Sequence, residues 1–166
     1  MIELSELLDP SRIRCQCDIR SKKRALQTLA ELLGVSLTDM LDSSDDEDSQ
    51  SDMDIFDALV TRERLGSTAL GHGIALPHSR LAQIEEPIAA MITLSEGVDF
   101  EAADNQPVDI LVALLVPEHC NDEHLKILAS LAKRFNQQIF RDEVRTFGTD
   151  QADALYSYLQ LPAPAA

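Results

Sequence analysis

Tryptophan is absent, and the aromatic residues are only five Phe and two Tyr. Aliphatic side chains must therefore fill the core. No apolar run exceeds residues 110–117, far short of the roughly 20 residues a helix needs to cross a bilayer, so no membrane insertion is expected. Cysteine is scarce. Cys15, Cys17 and Cys120 cannot build a disulfide framework. The Cys-Gln-Cys step also lacks the second cysteine pair of a structural zinc site, so these are read as small, mostly buried side chains. Positive charge is short as well: 14 Lys and Arg stand against 29 Asp and Glu, a net charge of −15. Residues 39–57 hold nine acids and residues 81–125 hold ten, and neither stretch contains Lys or Arg. Wrapping nucleic acid needs basic side chains to neutralise phosphates, so no nucleic-acid partner is expected. The acidity suits a basic protein partner, or serves solubility alone. The opening MIELSELLDP has no basic end followed by an apolar region. No secretory leader is expected, and a cytoplasmic location is the default.

What is present is a globular pattern, 45% hydrophobic over 166 residues, enough for one domain with one core. Ala25, Leu26, Leu29, Leu32 and Leu33 recur at helical spacing and predict a helix over residues 22–33. Ser21 is its N-cap and Gly34 its stop. Residues 13–17 suit an irregular extended piece. A second helix starting near Ser36 should be interrupted by residues 42–52, DSSDDEDSQSD. That stretch has no apolar residue to offset its ordering entropy and reads as an exposed, flexible acidic loop. A helix follows over residues 54–64, with Ile55, Leu59 and Phe56 inward, ended by Gly66 and Ser67. Strands are expected at residues 74–76 and 88–94, with an edge piece at 98–100. Residues 108–116 are almost continuously apolar, as in a central strand covered on both faces. Asn121 or Asp122 then caps a helix over residues 123–134 whose inner face holds Leu125, Leu128, Leu131 and Ala132. Residues 137–144 fit either a short strand or a short helix. A last helix spans residues 151–159, with Leu155 and Leu159 inside. The pattern predicts an α/β domain over residues 1–160, with a frayed tail at 161–166. Strand order is not readable from it.

The densest segment is residues 61–80, TRERLGSTALGHGIALPHSR. Glycine and proline forbid one uninterrupted helix there. It reads as two tight turns carrying a short strand, with His78 delivered at the strand end by Pro77. A neutral imidazole nitrogen is a good nucleophile near neutral pH, and a hydrogen bond from its other nitrogen selects the tautomer. On local chemistry alone His78 is either such a nucleophile or a surface loop residue.

Five collinear segments resemble the enzyme IIA domains of the bacterial phosphotransferase system: SKKRAL at 21–26, RERLGST at 62–68, GIALPH at 73–78, NQPVDILVALLVP at 105–117 and HLKILASLAKRF at 124–135. The resemblance is to the fructose/mannitol-type group, nearest its nitrogen-regulatory members. It implies a mixed central sheet with helices on both sides. It also implies that His78 accepts a phosphoryl group from an HPr-like carrier, itself charged by an enzyme I-like protein using phosphoenolpyruvate. His124 would lie beside His78 and help hold the phosphoryl group, and Arg62 would belong to the same pocket. No cofactor is implied. Regulatory targets, such as potassium-transport or sensor-kinase components, would read the phosphorylation state. The alternative is a sugar-specific enzyme IIA that passes phosphate to a fructose/mannitol-type permease component. With no transport domain in the sequence, the regulatory reading is favoured.

These placements have independent physical sense. A first-turn position puts His124 among free backbone amides that favour an anion. Arg62 can pair two oxygens through its fork; one turn before it stands Ala58 rather than a carboxylate, and Asp57 and Glu63 are its other candidate partners, at poor helical spacing. Ser67 and Thr68 are either phosphate donors or turn and core-edge residues. Gly71 and Gly73 either open an anion nest or serve packing. Ser79 can hydrogen-bond locally after the histidine. His72 and His119 read as rim or solvent residues. The four histidines form no HxxxH-type pair, so no metal is expected.

Overall fold

The computed structural model describes residues 3–41, 45–82, 84–119 and 122–162. Its centre is β6 (Val108–Pro117), where period-2 alternation sends the two sets of side chains to opposite faces. Ile110, Val112, Leu114 and Val116 face one core, and Leu111, Ala113 and Leu115 face the other. An all-apolar strand is thus explained by burial on both faces, as expected. Antiparallel to it runs β5 (Ile88–Val98), which carries the parallel edge strand β1 (Ile13–Cys17) on its far side. The other flank of β6 holds β3 (Ile74–Ala75) and β4 (His78–Leu81), both parallel to it, and β2 (Ala69–Gly71) forms a hairpin with β3. The sheet is mixed, in the order β1-β5-β6-β3-β2, with β4 also on β6.

The track of β3 and β4 matters most for function. Ile74 pairs with Ile110 and His78 with Leu114, so both strands keep one register along β6. The break at Leu76 and Pro77 has a local cause. Pro77 has no N–H, though its carbonyl still accepts from Leu114 N at 2.9 Å, while Leu76 N turns away to Thr68 O at 3.1 Å. The sequence pattern places His78 at the end of the first strand, but in the structure it opens a second one.

Helices cover both faces. α2 (Lys22–Leu41) and α3 (Asp45–Arg64) pack over the face that carries Leu111, Ala113 and Leu115. α1 (Leu4–Leu7), α4 (Glu123–Phe135), α5 (Gln138–Arg145) and α6 (Ala152–Leu159) pack over the face that carries Ile110, Val112, Leu114 and Val116. Ser21 caps α2 as expected, its Oγ accepting from Arg24 N at 3.1 Å. Gly34 does not stop that helix. It sits inside it, where a Cβ would run into the Asp52 side chain of α3, so its bareness lets the two helices approach. The acidic stretch also departs from expectation. Residues 42–44 lie outside the described residues, but from Asp45 onward the chain is helical. Acids at a helix N-terminus complement its dipole, which the lack of apolar residues conceals. In α4 the buried residues are Ile127, Leu131 and Phe135, whereas Leu125 is 57% exposed. The inner face follows i, i+4, i+8 from Ile127 and is rotated from the expected stripe. Residues 138–145, ambiguous in sequence, are helical, and β5 continues to Val98. Residues 163–166 of the expected tail, Cys120 and Asn121 lie outside the described residues. Cys15 is buried, and burial pushes its thiol up to about 11, which leaves it unreactive near neutral pH. Among the described residues no helix is long and apolar enough to cross a membrane.

Candidate functional site

The first residue of β4 is the centre of the site. His78 Nδ1 lies 2.8 Å from Leu76 O. A carbonyl can only accept, so this contact places the ring proton on Nδ1 and leaves the Nε2 lone pair free to react. On the other side, Arg62 Nε donates to Nε2 at 3.3 Å. Both contacts describe the same neutral tautomer. Burial pushes the His78 pKa below the ordinary histidine value. The Leu76 carbonyl pulls the other way, and the neighbouring Arg62 and His124 add to the lowering. A neutral nucleophile near pH 7 is the result.

Arg62 reaches this position from the last turn of α3, where its Nη1 donates to Gly66 O at 3.0 Å. One guanidinium thus ties the helix end, the following turn and the histidine together. His124 comes from the first turn of α4. Its Nδ1 is buried without a hydrogen-bond partner, an expensive state for a ring nitrogen. N-cap Asp122 makes no side-chain cap bond there.

These groups line an open cleft of about 540 Å³ together with Ser79, Arg80, Leu65 and Val116. Two guanidiniums, Arg62 and Arg80, and one carboxylate, Asp57, line this cleft in a protein of net charge −15. The sequence reading missed Arg80. Its signal is strand alternation, since residues two apart on β4 share a face with His78. Glu63, a candidate partner of Arg62 in the sequence, is instead a buried residue, 7% exposed, whose carboxylate pairs with Thr68.

The structure brings His78, His124, Arg62 and Ser79 into one cleft and leaves the other expected residues elsewhere. Ser67 Oγ donates to Phe100 O at 2.6 Å and accepts from Ala69 N at 3.2 Å. Thr68 Oγ1 donates to Glu63 Oε2 at 2.7 Å. Their hydroxyls are spent on the turn between α3 and β2. Gly71 and Gly73 flank His72 in the β2–β3 hairpin, where all three residues have positive φ. Their grooves are lined by α4 and α5 residues instead of His78. His72 is an exposed turn residue whose N–H donates to Asp104 at 2.9 Å, and His119 is exposed. Among the described residues no three of His, Cys, Asp and Glu come together as a metal cage.

Comparison with known proteins adds a further line. A model of the phosphoenolpyruvate-dependent sugar phosphotransferase system EIIA 2 family matches residues 6–160. The chain is 42% identical over 156 residues to a nitrogen regulatory protein of Pseudomonas aeruginosa, covering 94% of each. It is 34% identical over 151 residues to that of Escherichia coli, covering 90% of this chain and 86% of the relative. Among solved structures, the nitrogen regulatory protein IIA-Ntr of Neisseria meningitidis superposes with a TM-score of 0.79 at 36% identity, covering 95% and 99% of the two chains.

Proposed function

The chain belongs to the EIIA 2 family of the phosphoenolpyruvate-dependent sugar phosphotransferase system, and we propose that it is a phosphohistidine carrier and regulator in a nitrogen-related branch, loaded at His78 by an HPr-like protein. Similarity to nitrogen regulatory proteins over nearly their whole length supports the branch. The observation that carries the chemistry is the His78 ring, held at Nδ1 by Leu76 O while Nε2 faces the cleft and Arg62.

In the transfer step the Nε2 lone pair attacks the donor's phosphorus. The new P–N bond forms as the donor's P–N bond breaks, and the donor ring leaves with the electron pair. His78 keeps its proton on Nδ1, which goes on donating to Leu76 O. The positive charge that develops on the ring is thereby spread toward a carbonyl dipole. Arg62 swings its donors from the ring nitrogen to the arriving phosphoryl oxygens, and Arg80 and His124 are placed to add further donors. No metal is needed to generate the nucleophile, because the imidazole nitrogen is already neutral. Phosphorylation places new negative charge in a cleft that held positive charge. That reversal is what protein targets such as potassium-transport or sensor-kinase components would read.

The test is mass spectrometry after incubation with phosphoenolpyruvate, an enzyme I-like protein and an HPr-like donor. One acid-labile phosphate on the wild-type chain and none on His78→Ala is expected. Stoichiometric phosphate retained by His78→Ala would overturn the assignment.

A further inference from the structure

The RERLGST turn hides a carboxylate that the transfer chemistry does not touch. Glu63 follows Arg62 on the last turn of α3, yet its side chain points the other way and is 4% exposed. Buried charges need pairing, and this one is fully engaged. Its Oε1 accepts from Thr68 N at 3.0 Å and Lys22 Nζ at 3.0 Å, and its Oε2 accepts from Thr68 Oγ1 at 2.7 Å. The Lys22 ammonium in turn lies 4.8 Å from the centre of the Phe100 ring.

Both contacts that set the His78 ring hang from this clamp. On one side, the clamp closes the turn over residues 63–68. That fixes Gly66 O, which accepts from Arg62 Nη1 at 3.0 Å and so aims Arg62 Nε at His78 Nε2. On the other side, Thr68 O accepts from Leu76 N at 3.1 Å, and Leu76 O accepts from His78 Nδ1 at 2.8 Å. We infer that Glu63, held by Lys22 and Thr68, is a positioning residue that selects the reactive tautomer of His78 and aims Arg62 at it. It touches no reacting atom. Thr68, expected from sequence to donate to phosphate, serves the site through Glu63 instead. The inference rests on His78 being the phosphoryl acceptor for its kinetic readout, but not for its spectroscopic one.

The experiment uses the full unphosphorylated chain, wild type and Glu63→Gln, with ¹⁵N NMR of the histidine side chains well below the unfolding temperature. Wild-type His78 should show the Nδ1–H tautomer alone, and Glu63→Gln should show a mixture. A second arm follows phosphoryl transfer from phosphorylated HPr-like donor. The limiting rate of Glu63→Gln should fall about 10- to 100-fold, as for a lost charge-assisted hydrogen bond, with the half-saturating donor concentration little changed. In an Arg62→Gln background the same substitution should cost much less, because part of its effect runs through Arg62. Thr68→Val, which removes one donor and keeps the carboxylate, should fall between the two and replaces Glu63→Gln if that variant does not fold. A folded variant with the wild-type tautomer would overturn the inference, as would full additivity with Arg62→Gln. A wild-type chain that takes no phosphate at His78 fails the functional reading alone, since the tautomer measurement does not need phosphate.

Discussion

At the scale of residues, the decisive fact is that His78 is neutral in the folded chain because its ring is desolvated and its Nδ1 proton is already placed. A histidine with a lowered folded pKa binds fewer protons folded than unfolded between that value and the ordinary 6.5. Stability therefore rises with pH across this window and falls as pH drops through it. The contribution is fully present above 6.5. The expected outcome is a urea midpoint that declines more steeply from pH 7 to pH 5 in the wild type than in His78→Gln. Parallel declines would show that His78 is not depressed. Local chemistry left His78 open between nucleophile and loop residue, and it took the resemblance over five collinear segments to single out His78 and His124. The burial of Glu63 was not legible, because a charged residue beside a charged residue on a helix end looks like solvated surface.

Among elements, the β2–β3 hairpin decides what its glycines are for. Gly73 has φ +83°, and a Cβ there would stand 2.6 Å from Arg145 Nη2 and 2.8 Å from Asp109 Oδ1. Those two side chains form the ion pair that fastens α5 to β6, with 2.9 Å contacts on both carboxylate oxygens, and Arg145 Nη2 also donates to His72 O at 2.7 Å. Gly73→Ala should therefore cost about 1–3 kcal/mol of stability through strain and a displaced ion pair, read as a lower denaturant midpoint. Transfer to His78 at 25 °C should stay within about twofold of wild type, a change worth under 1 kcal/mol. A large loss of transfer with an unchanged midpoint would restore Gly73 to the phosphate site. Helix α4 makes a similar point. Its apolar residues allow more than one inward stripe, and only packing against β6 selects Ile127, Leu131 and Phe135.

For the whole molecule, a net charge of −15 surrounds a cleft that carries Arg62 and Arg80. Long-range attraction then favours a donor with a basic docking face, while the transferred anion is stabilised locally. Raising salt from about 10 to about 300 mM should cut the second-order transfer rate about tenfold, because screening shortens the reach of the surface field. The limiting rate at saturating donor should change little. A salt-independent encounter rate, measured by stopped flow, would show that docking does not use the acidic surface.

Sequence by itself determined the alternation of helices and apolar strands, the double-sided burial of β6 and the place of His78 directly after Pro77. Each depends on residues close in the chain, where periodicity and turn chemistry act directly. Tertiary structure alone decided that β3 and β4 share one track on β6, since the register is set by a strand more than thirty residues away. It also decided that α2 continues through Gly34, because the reason for that glycine lies on α3. The same holds for Thr68. Whether its hydroxyl meets a phosphate or a buried carboxylate depends on how the turn over residues 63–68 closes, and that closure is fixed by Lys22, Phe100 and Leu76, which reach it only in the folded chain.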